Sequence, residues 1–362
     1  MTLKEDHHEN HEDSHGGKGG YVFSSPEEVA AVKAQRALLW DFLKDVGSHL
    51  LRDGLNLTKI SMPVQLFEPR SWLERMCDNW SYLDLLECAA DQTDPVERLK
   101  YLVAFVVGGL RQQVSFGKPF NPILGETYQA QYSGGIEVFV EQISHHPPIS
   151  SWQVDDRDGR FSFWGNGSWS ASARGNSVKG HQSGTNSVRF SSDGAVVTWQ
   201  LPYLTIKGVL FGERSLKYSG HMVFEDRQNG LTCELEIDPG SGASFFTSLF
   251  RRRKQVQHDQ VVGSIKNSDG EVLDTLHGSW LTHLEWEKGV LGGKLRTVWD
   301  YERCLVRRPT PAEAVLPSDS RHREDLSHLK VGDTKQAQHW KLELEQLQRK
   351  DKKLRAEEGI RG

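Results

Sequence analysis

Residues 135–150 read GIEVFVEQISHHPPIS. Ile136, Val138 and Val140 fall on one face and Glu137 and Glu141 on the other, the period of two expected of a half-buried strand. The run then meets two histidines and two prolines. Pro147 holds His146 extended, and neither proline can donate to a ladder. The stretch predicts a strand running into a rigid exit, with a bend that can bring both imidazoles to one rim.

The same alternation recurs from about residue 125 to about residue 305. Short segments such as GAVVTWQL, LTCELEID and VVGSI are separated by Asp158-Gly159, Asp193-Gly194, Asn229-Gly230 and Asp269-Gly270. These dipeptides suit hairpin turns. Successive hairpins over such a length imply a large antiparallel sheet, which closes or folds on itself to hide its edges. Helical signals lie outside this region. Ser25, Pro26 and Glu28 form a capping box, after which Val29, Val32, Leu39, Leu43 and Val46 recur at helical spacing. Asp94-Pro95-x-Glu97 opens a stronger helix towards Gln113, and shorter ones are expected near Ser71 to Cys77 and Tyr82 to Ala90. After a Pro-rich connection, Asp333 to Arg355 reads as a charged helix. The fold class is therefore mainly β with flanking helices.

Composition limits the function. The 362 residues carry a net charge of −5, so there is no basic excess of the kind nucleic acid requires. The longest apolar run, Tyr101 to Leu110, is too short to span a bilayer. Four scattered cysteines form no CxxC pair and read as reduced thiols in a cytosolic protein. Residues 1–20 are acidic, polar and rich in histidine, and read as a disordered tail rather than a metal site.

Three chemistries suit a histidine doublet. Metal binding needs further ligands, and no HxxxH or HExxH is present. Catalysis needs a nucleophile, and no GxSxG, P-loop or kinase pattern appears. Anion binding needs only donors and positive surroundings, which two imidazoles can help to supply. Taken alone, HHPP fits two satisfied histidines in a turn equally well. A second stretch, FGKPFNPILGETY at Phe116 to Tyr128, adds a lysine, Lys118, and an asparagine, Asn121, on a proline-stiffened loop.

Here the sequence resembles a known family. EQISHHPPIS is similar to the EQVSHHPP fingerprint of the oxysterol-binding-protein family, with Ile143 for Val. GKPFNPILGETY is similar to its second signature. ISMPVQLFEPRSWLERM and DPVERLKYLVAFVV resemble the family's N-terminal helical region, and SDSRHREDLSHLKVGD and LEQLQR its C-terminal segment. The likeness covers roughly residues 38–355, in order.

The resemblance implies one lipid-binding domain over residues 21–362. Its fold would be a nearly closed antiparallel β-barrel around a lipid tunnel, over about 125–305. A lid at about 25–55, a helical region at about 69–113 and a C-terminal helical segment at about 330–357 would flank it. Such a protein extracts a lipid from one membrane and carries it to another, with no catalysis, cofactor or metal. The implied partners are phosphatidylinositol 4-phosphate, a sterol or phosphatidylserine, and anionic membrane surfaces. A cytoplasmic monomer visiting endoplasmic reticulum, Golgi or plasma-membrane contact sites is expected.

Carried over residue by residue, head-group binding falls on Lys118, Asn121, His145, His146, Lys341, Glu345 and Arg349. Relatives often read LEEKQR where this chain has LEQLQR, so Gln346 and Leu347 replace two charged residues. A membrane contact is expected at SFFTSLFRRRK, through Phe245, Phe246, Phe250, Arg251, Arg252, Arg253 and Lys254. The competing readings are a lipid sensor or scaffold that changes partners when loaded, and a phosphoinositide hydrolase that uses a histidine.

Overall fold

The computed structural model describes residues 20–46, 55–56, 61–239 and 259–359. The expected tail, apart from Gly20, and the SFFTSLFRRRK stretch lie outside the described residues. The described chain opens with strand β1 (Tyr21–Val22) and helix α1 (Pro26–Val46). The capping box forms as expected. Ser25 Oγ accepts from the Glu28 amide at 3.2 Å, and the Glu28 carboxylate accepts from the Ser25 amide at 3.0 Å. The buried face of α1 differs from the expected stripe at its start. Val32 and Leu43 are buried, but Val29 is 52% exposed. The face that packs runs Val32, Gln35, Leu39, Leu43, so an apolar residue in the first turn is left in solvent.

β2 (Leu55–Asn56) and β3 (Phe67–Ser71) precede three helices, α2 (Trp72–Met76), α3 (Leu83–Ala90) and α4 (Pro95–Gln112). Ser71 caps α2 by accepting from the Leu73 amide, and Asp94 caps α4 by accepting from the Val96 amide, with Pro95 at the first helical position. Every residue of α4 from Arg98 to Leu110 is buried. An all-round apolar helix fits only where it is covered on all sides. It packs on the neighbouring α3 and close to the sheet. A Cβ placed on Gly109 would lie 2.0 Å from the Asn79 carbonyl oxygen.

After β4 (Lys118–Phe120) comes the main sheet: β5 (Thr127–Tyr132), β6 (Ile136–His145), β7 (Pro148–Asp156), β8 (Phe161–Arg174), β9 (Ser177–Ser183), β10 (Asn186–Phe190), β11 (Val196–Trp199), β12 (Tyr203–Lys207), β13 (Ser215–Asp226), β14 (Leu231–Ile237), β15 (Gln260–Asn267), β16 (Val272–Ser279), β17 (His283–Val290), β18 (Leu295–Asp300) and β19 (Thr310–Pro311). All ladders in this sheet are antiparallel. β8 pairs with β10 through its first half and with β9 through its second. β13 likewise pairs with β12 and then with β11. β9–β10 and β11–β12 therefore act as two bent strands between β8 and β13. β1 pairs with the start of β13, Tyr21 opposite Leu216, a position that β14 leaves open. The four predicted hairpin glycines, Gly159, Gly194, Gly230 and Gly270, all take positive φ.

The sheet runs from β19 beside β5, through β13, to β18. Among the described residues no ladder joins β18 to β5 or β19, so this large antiparallel sheet does not close into a full hydrogen-bonded ring. α4 packs on β14, β17 and β18, and Trp280, Trp286 and Trp299 are wholly buried in the shared core. A short helix, α5 (Glu324–Lys330), and a long one, α6 (Thr334–Glu357), complete the described chain, the second capped by Asp333. Among the described residues no helix is long and apolar enough to cross a membrane.

Candidate lipid-binding site

The barrel encloses a cavity of about 360 Å³, within the range of small-molecule sites. Inward residues of β8, β9, β12 and β13 supply apolar wall: Trp169, Ala171, Ala173, Val178, Leu204, Ile206 and Leu216. Trp72 from α2 adds an indole, its ring 5.0 Å from that of Trp169. The roof comes from Phe23, just after β1, and from Leu39, Phe42 and Leu43 of α1, all of which line the cavity. Polar contacts pin this roof to the rim. Gln35 Nε2 donates to the Phe116 carbonyl at 2.5 Å, and Arg36 Nη2 donates to the carbonyls of Gly208 and Gly212 at 2.6 and 2.5 Å. α1 thus lies across the cavity.

The histidine doublet sits at the end of β6. Instead of a strand running into an exit, β6 turns directly into β7, with His145 paired to Pro148. His146 and Pro147 form the turn, and the peptide bond between them is cis. A bulge between Gln142 and Ser144 breaks the register just before the doublet. In a regular strand Gln142 and His145, three positions apart, would face opposite sides. The extra residue, Ile143, is 47% exposed, and the bulge re-aims the end of the strand, so that both Gln142 and His145 line the cavity. His146 lines it too, with the two ring centroids 4.4 Å apart. Both imidazoles reach one rim, as the sequence suggested.

His145 is partly buried, and its Nδ1 is buried without a hydrogen-bond partner. Burial, then the neighbouring His146, Lys352 and Arg355, push its pKa down to about 4. The ring is therefore neutral near pH 7, with an unused ring nitrogen.

The same cavity is lined by Lys118, which is paired with a second lysine, Lys341. Lys118 lies on β4, which runs parallel to β3, with Phe67 opposite Lys118. A small second core of Val64, Phe120, Leu326 and Ala337, with Phe67 packed on it, fastens β4 and β3 to α5 and α6. That packing brings Lys341 of α6 to the same ring. Lys118 Nζ lies 4.7 Å and Lys341 Nζ 5.3 Å from the Phe67 ring centroid, a cation–π arrangement. Lys118 also donates to Asn121 Oδ1 at 2.9 Å. Asn121 is steadied from behind, since its carbonyl accepts from Arg323 at 2.9 Å. Lys341 donates to Glu345 Oε1 at 2.6 Å and to Ser61 Oγ at 2.9 Å. Desolvation and the Lys341 charge push the Lys118 pKa down to about 8, against the pull of Glu345. Two like charges thus flank one ring, with the Glu345 carboxylate held on Lys341.

Lys118, Asn121, His145 and His146 therefore line one cavity, and Lys341, which holds Glu345, stands at the same Phe67 ring as Lys118. Arg349 stays on the outer side, its side chain 65% exposed and 4.0 Å from Glu345. Sequence reading missed Phe67, which carries no local signal and acts only through the packing of β3 against β4. It also missed Lys352 and Arg355 as neighbours of His145, although both lie in a basic run already visible in the sequence. Among the described residues no cluster of His, Cys, Asp or Glu side chains could hold a metal.

A mostly apolar cavity covered by α1, with a lysine and two imidazoles in its lining, has the chemistry to suit an amphiphile. The family described as "Oxysterol-binding protein" matches residues 39–361. The chain belongs to the oxysterol-binding protein family, whose members bind lipids and are not enzymes. It is 37% identical over 357 residues to Oxysterol-binding protein 9 of Dictyostelium discoideum, covering 94% of this chain and 80% of that one. It is 32% identical over 342 residues to human Oxysterol-binding protein-related protein 7, covering 89% of this chain but only 38% of the human one. The fold is that of the Osh1 ORD domain solved with cholesterol (TM-score 0.72, 24% identity, 90% of this chain and 81% of that one). It also matches the Osh3 ORD of Saccharomyces cerevisiae solved with PI(4)P (TM-score 0.68, 23% identity, 89% of this chain and 84% of that one).

Proposed function

We propose that the protein carries one lipid at a time between membranes, exchanging phosphatidylinositol 4-phosphate for a sterol or phosphatidylserine. The observation that carries this reading is the mouth itself. Lys118, Asn121, His145 and His146 line one apolar cavity, and Lys341 lies beside Lys118. A phosphate monoester there accepts from the imidazoles and the two ammonium groups and relieves the repulsion between the lysines. Acyl chains or sterol rings need only the apolar wall. Glu345 orients Lys341, and Arg349 adds longer-range attraction from the outer face. The relatives solved with cholesterol and with PI(4)P support both ligand classes. The working setting is the cytosolic side of membrane contact sites, with the protein a monomer. Native mass spectrometry of the purified protein tests the reading. One bound lipid per chain is expected, and a protein that never holds lipid, even after incubation with mixed liposomes, overturns it.

The lysine pair gives this reading a pH signature. Lys118 without ligand loses its proton near pH 8, whereas phosphate binding needs the proton in place. Phosphoinositide extraction therefore weakens as pH rises from about 8 towards 10, by up to about tenfold per unit. Lys118→Arg stays charged over that range and flattens the profile. A wild-type profile that is flat between about pH 7 and 10 contradicts the assignment of Lys118.

A further inference from the structure

Among the described residues, six basic side chains are at least nine-tenths buried: Arg75, Arg98, Lys100, Arg214, Arg323 and Lys341. Five of them meet a carboxylate: Arg75 meets Asp78, Arg98 Asp193, Lys100 Asp274, Arg323 Asp325 and Lys341 Glu345. Arg214 meets none. It lines the cavity under the lid. Its Nε donates to the Gly208 carbonyl at 3.0 Å, its Nη2 to the Val209 carbonyl at 3.1 Å and its Nη1 to Gln35 Oε1 at 2.9 Å. These neutral acceptors satisfy three of the five N–H groups of a guanidinium and leave its charge unmatched.

A second guanidinium makes the imbalance larger. Arg36 of the lid donates to the same Gly208 carbonyl and, like Arg214, has no carboxylate partner among the described residues. Its Nε is buried without an acceptor. A buried cation without a counter-charge is costly, and the cost disappears when an anion arrives. Burial and Arg36 together hold the Arg214 guanidinium down to about 10, as expected where positive charge is crowded and unopposed.

We propose that Arg214, with Arg36 above it, is a second anion subsite in the cavity and takes the phosphodiester of a glycerophospholipid. This rests on the reading that the cavity holds a lipid. Gln35 links the subsite to the mouth, because its amide bridges Arg214 and the Phe116 carbonyl, two residues before Lys118. A phosphoinositide then places its terminal phosphate at the imidazoles and lysines and its diester near Arg214. Phosphatidylserine has only the diester and its carboxylate to offer there. A sterol has no anion, leaves the guanidinium unmatched and gains nothing from it.

The test uses the full chain as wild type, Arg214→Gln and Arg214→Lys, each checked for an unchanged fold by thermal melting. Each is incubated with liposomes containing labelled phosphatidylinositol 4-phosphate, labelled phosphatidylserine or a fluorescent sterol, and the lipid bound per protein is measured. Arg214→Gln is expected to lower loading of at least one glycerophospholipid tenfold or more, and the arm that falls identifies which. Sterol loading stays within twofold, and Arg214→Lys restores most of the loss. If sterol falls in step with the phospholipids, Arg214 only latches the lid, and the proposal is overturned. It is equally overturned if no arm changes, or if Lys is as defective as Gln. Failure of the wild type to load any lipid sinks the carrier reading itself, whereas normal wild-type loading with an unchanged Arg214→Gln sinks the subsite alone.

Discussion

Replacing His145 and His146 together with alanine abolishes phosphoinositide extraction, by at least about 100-fold, and leaves the fold intact. Hydrogen bonds to a charged group contribute about 1.5–3 kcal/mol each, so losing two donors removes about 3 kcal/mol or more of binding. The cost to folding is small, because His146 is exposed and His145 has a buried Nδ1 with no partner to lose. Extraction of labelled phosphatidylinositol 4-phosphate from liposomes measures the effect, and a double variant working at the wild-type rate rules out the doublet as the head-group site. Sterol loading should survive. The free protein carries a related signature in its stability. With the His145 pKa near 4 in the folded state and about 6.5 unfolded, the unfolded chain takes up the proton first as pH falls. Stability therefore drops on acidification between about pH 6.5 and 4, by at most about 1.4 kcal/mol per unit from this group. The double variant loses that part of the slope.

The second large effect is on retention. Leu39 and Leu43 point from α1 into the cavity, and Leu43 is only 6% exposed. Changing both to glutamate sets two charges against apolar wall and removes the burial of two leucines, about 1.5–3 kcal/mol each. The lid then opens, and bound sterol should be lost about 100-fold faster. The barrel ladders do not involve these side chains, so the β-sheet signal in circular dichroism should persist. Unchanged retention of a fluorescent sterol after dilution means that α1 does not act as the lid.

Much of the fold was legible in the chain because local chemistry decides it. The Ser25–Glu28 box, Asp94 with Pro95, and Asp333 each start a helix where their capping chemistry requires. The Asx-Gly pairs turn the hairpins, and the bracketed apolar run Tyr101 to Leu110 forms the buried helix. What escaped depends on contacts far apart in sequence. Val29 fits the helical period but falls on the solvent side, because the lid's orientation is set by Gln35 and Arg36 reaching Phe116 and Gly208. The bulge at Ile143 cannot be read from alternation, yet it decides that Gln142 and His145 share a face. Phe67 becomes part of the mouth only because β3 lies parallel to β4 and the small core of Val64, Phe120, Leu326 and Ala337 draws α6 alongside.

The site was legible to a different degree. Lys118, Asn121, His145 and His146 lie in two motifs that can be read in the sequence, and all four line one cavity. The regular i, i+4 spacing of Lys341, Glu345 and Arg349 gives one continuous ion ladder along α6, but only its first member reaches the Phe67 ring beside Lys118. Helical period says which residues share a face, and docking of the helix decides how far along that face the cavity extends. Arg214 gave no signal, since an isolated arginine in a hairpin loop is usually solvated, and its burial without a carboxylate appears only in three dimensions.

Exchange of two lipids through one cavity is tested most directly by a displacement titration. Protein preloaded with a fluorescent sterol, or with labelled phosphatidylserine, is titrated with liposomes containing phosphatidylinositol 4-phosphate. If both lipids use the cavity under α1, the first lipid should leave as the phosphoinositide enters, one for one. Retention of the first lipid while phosphatidylinositol 4-phosphate binds to the same protein would contradict exchange and require two independent sites.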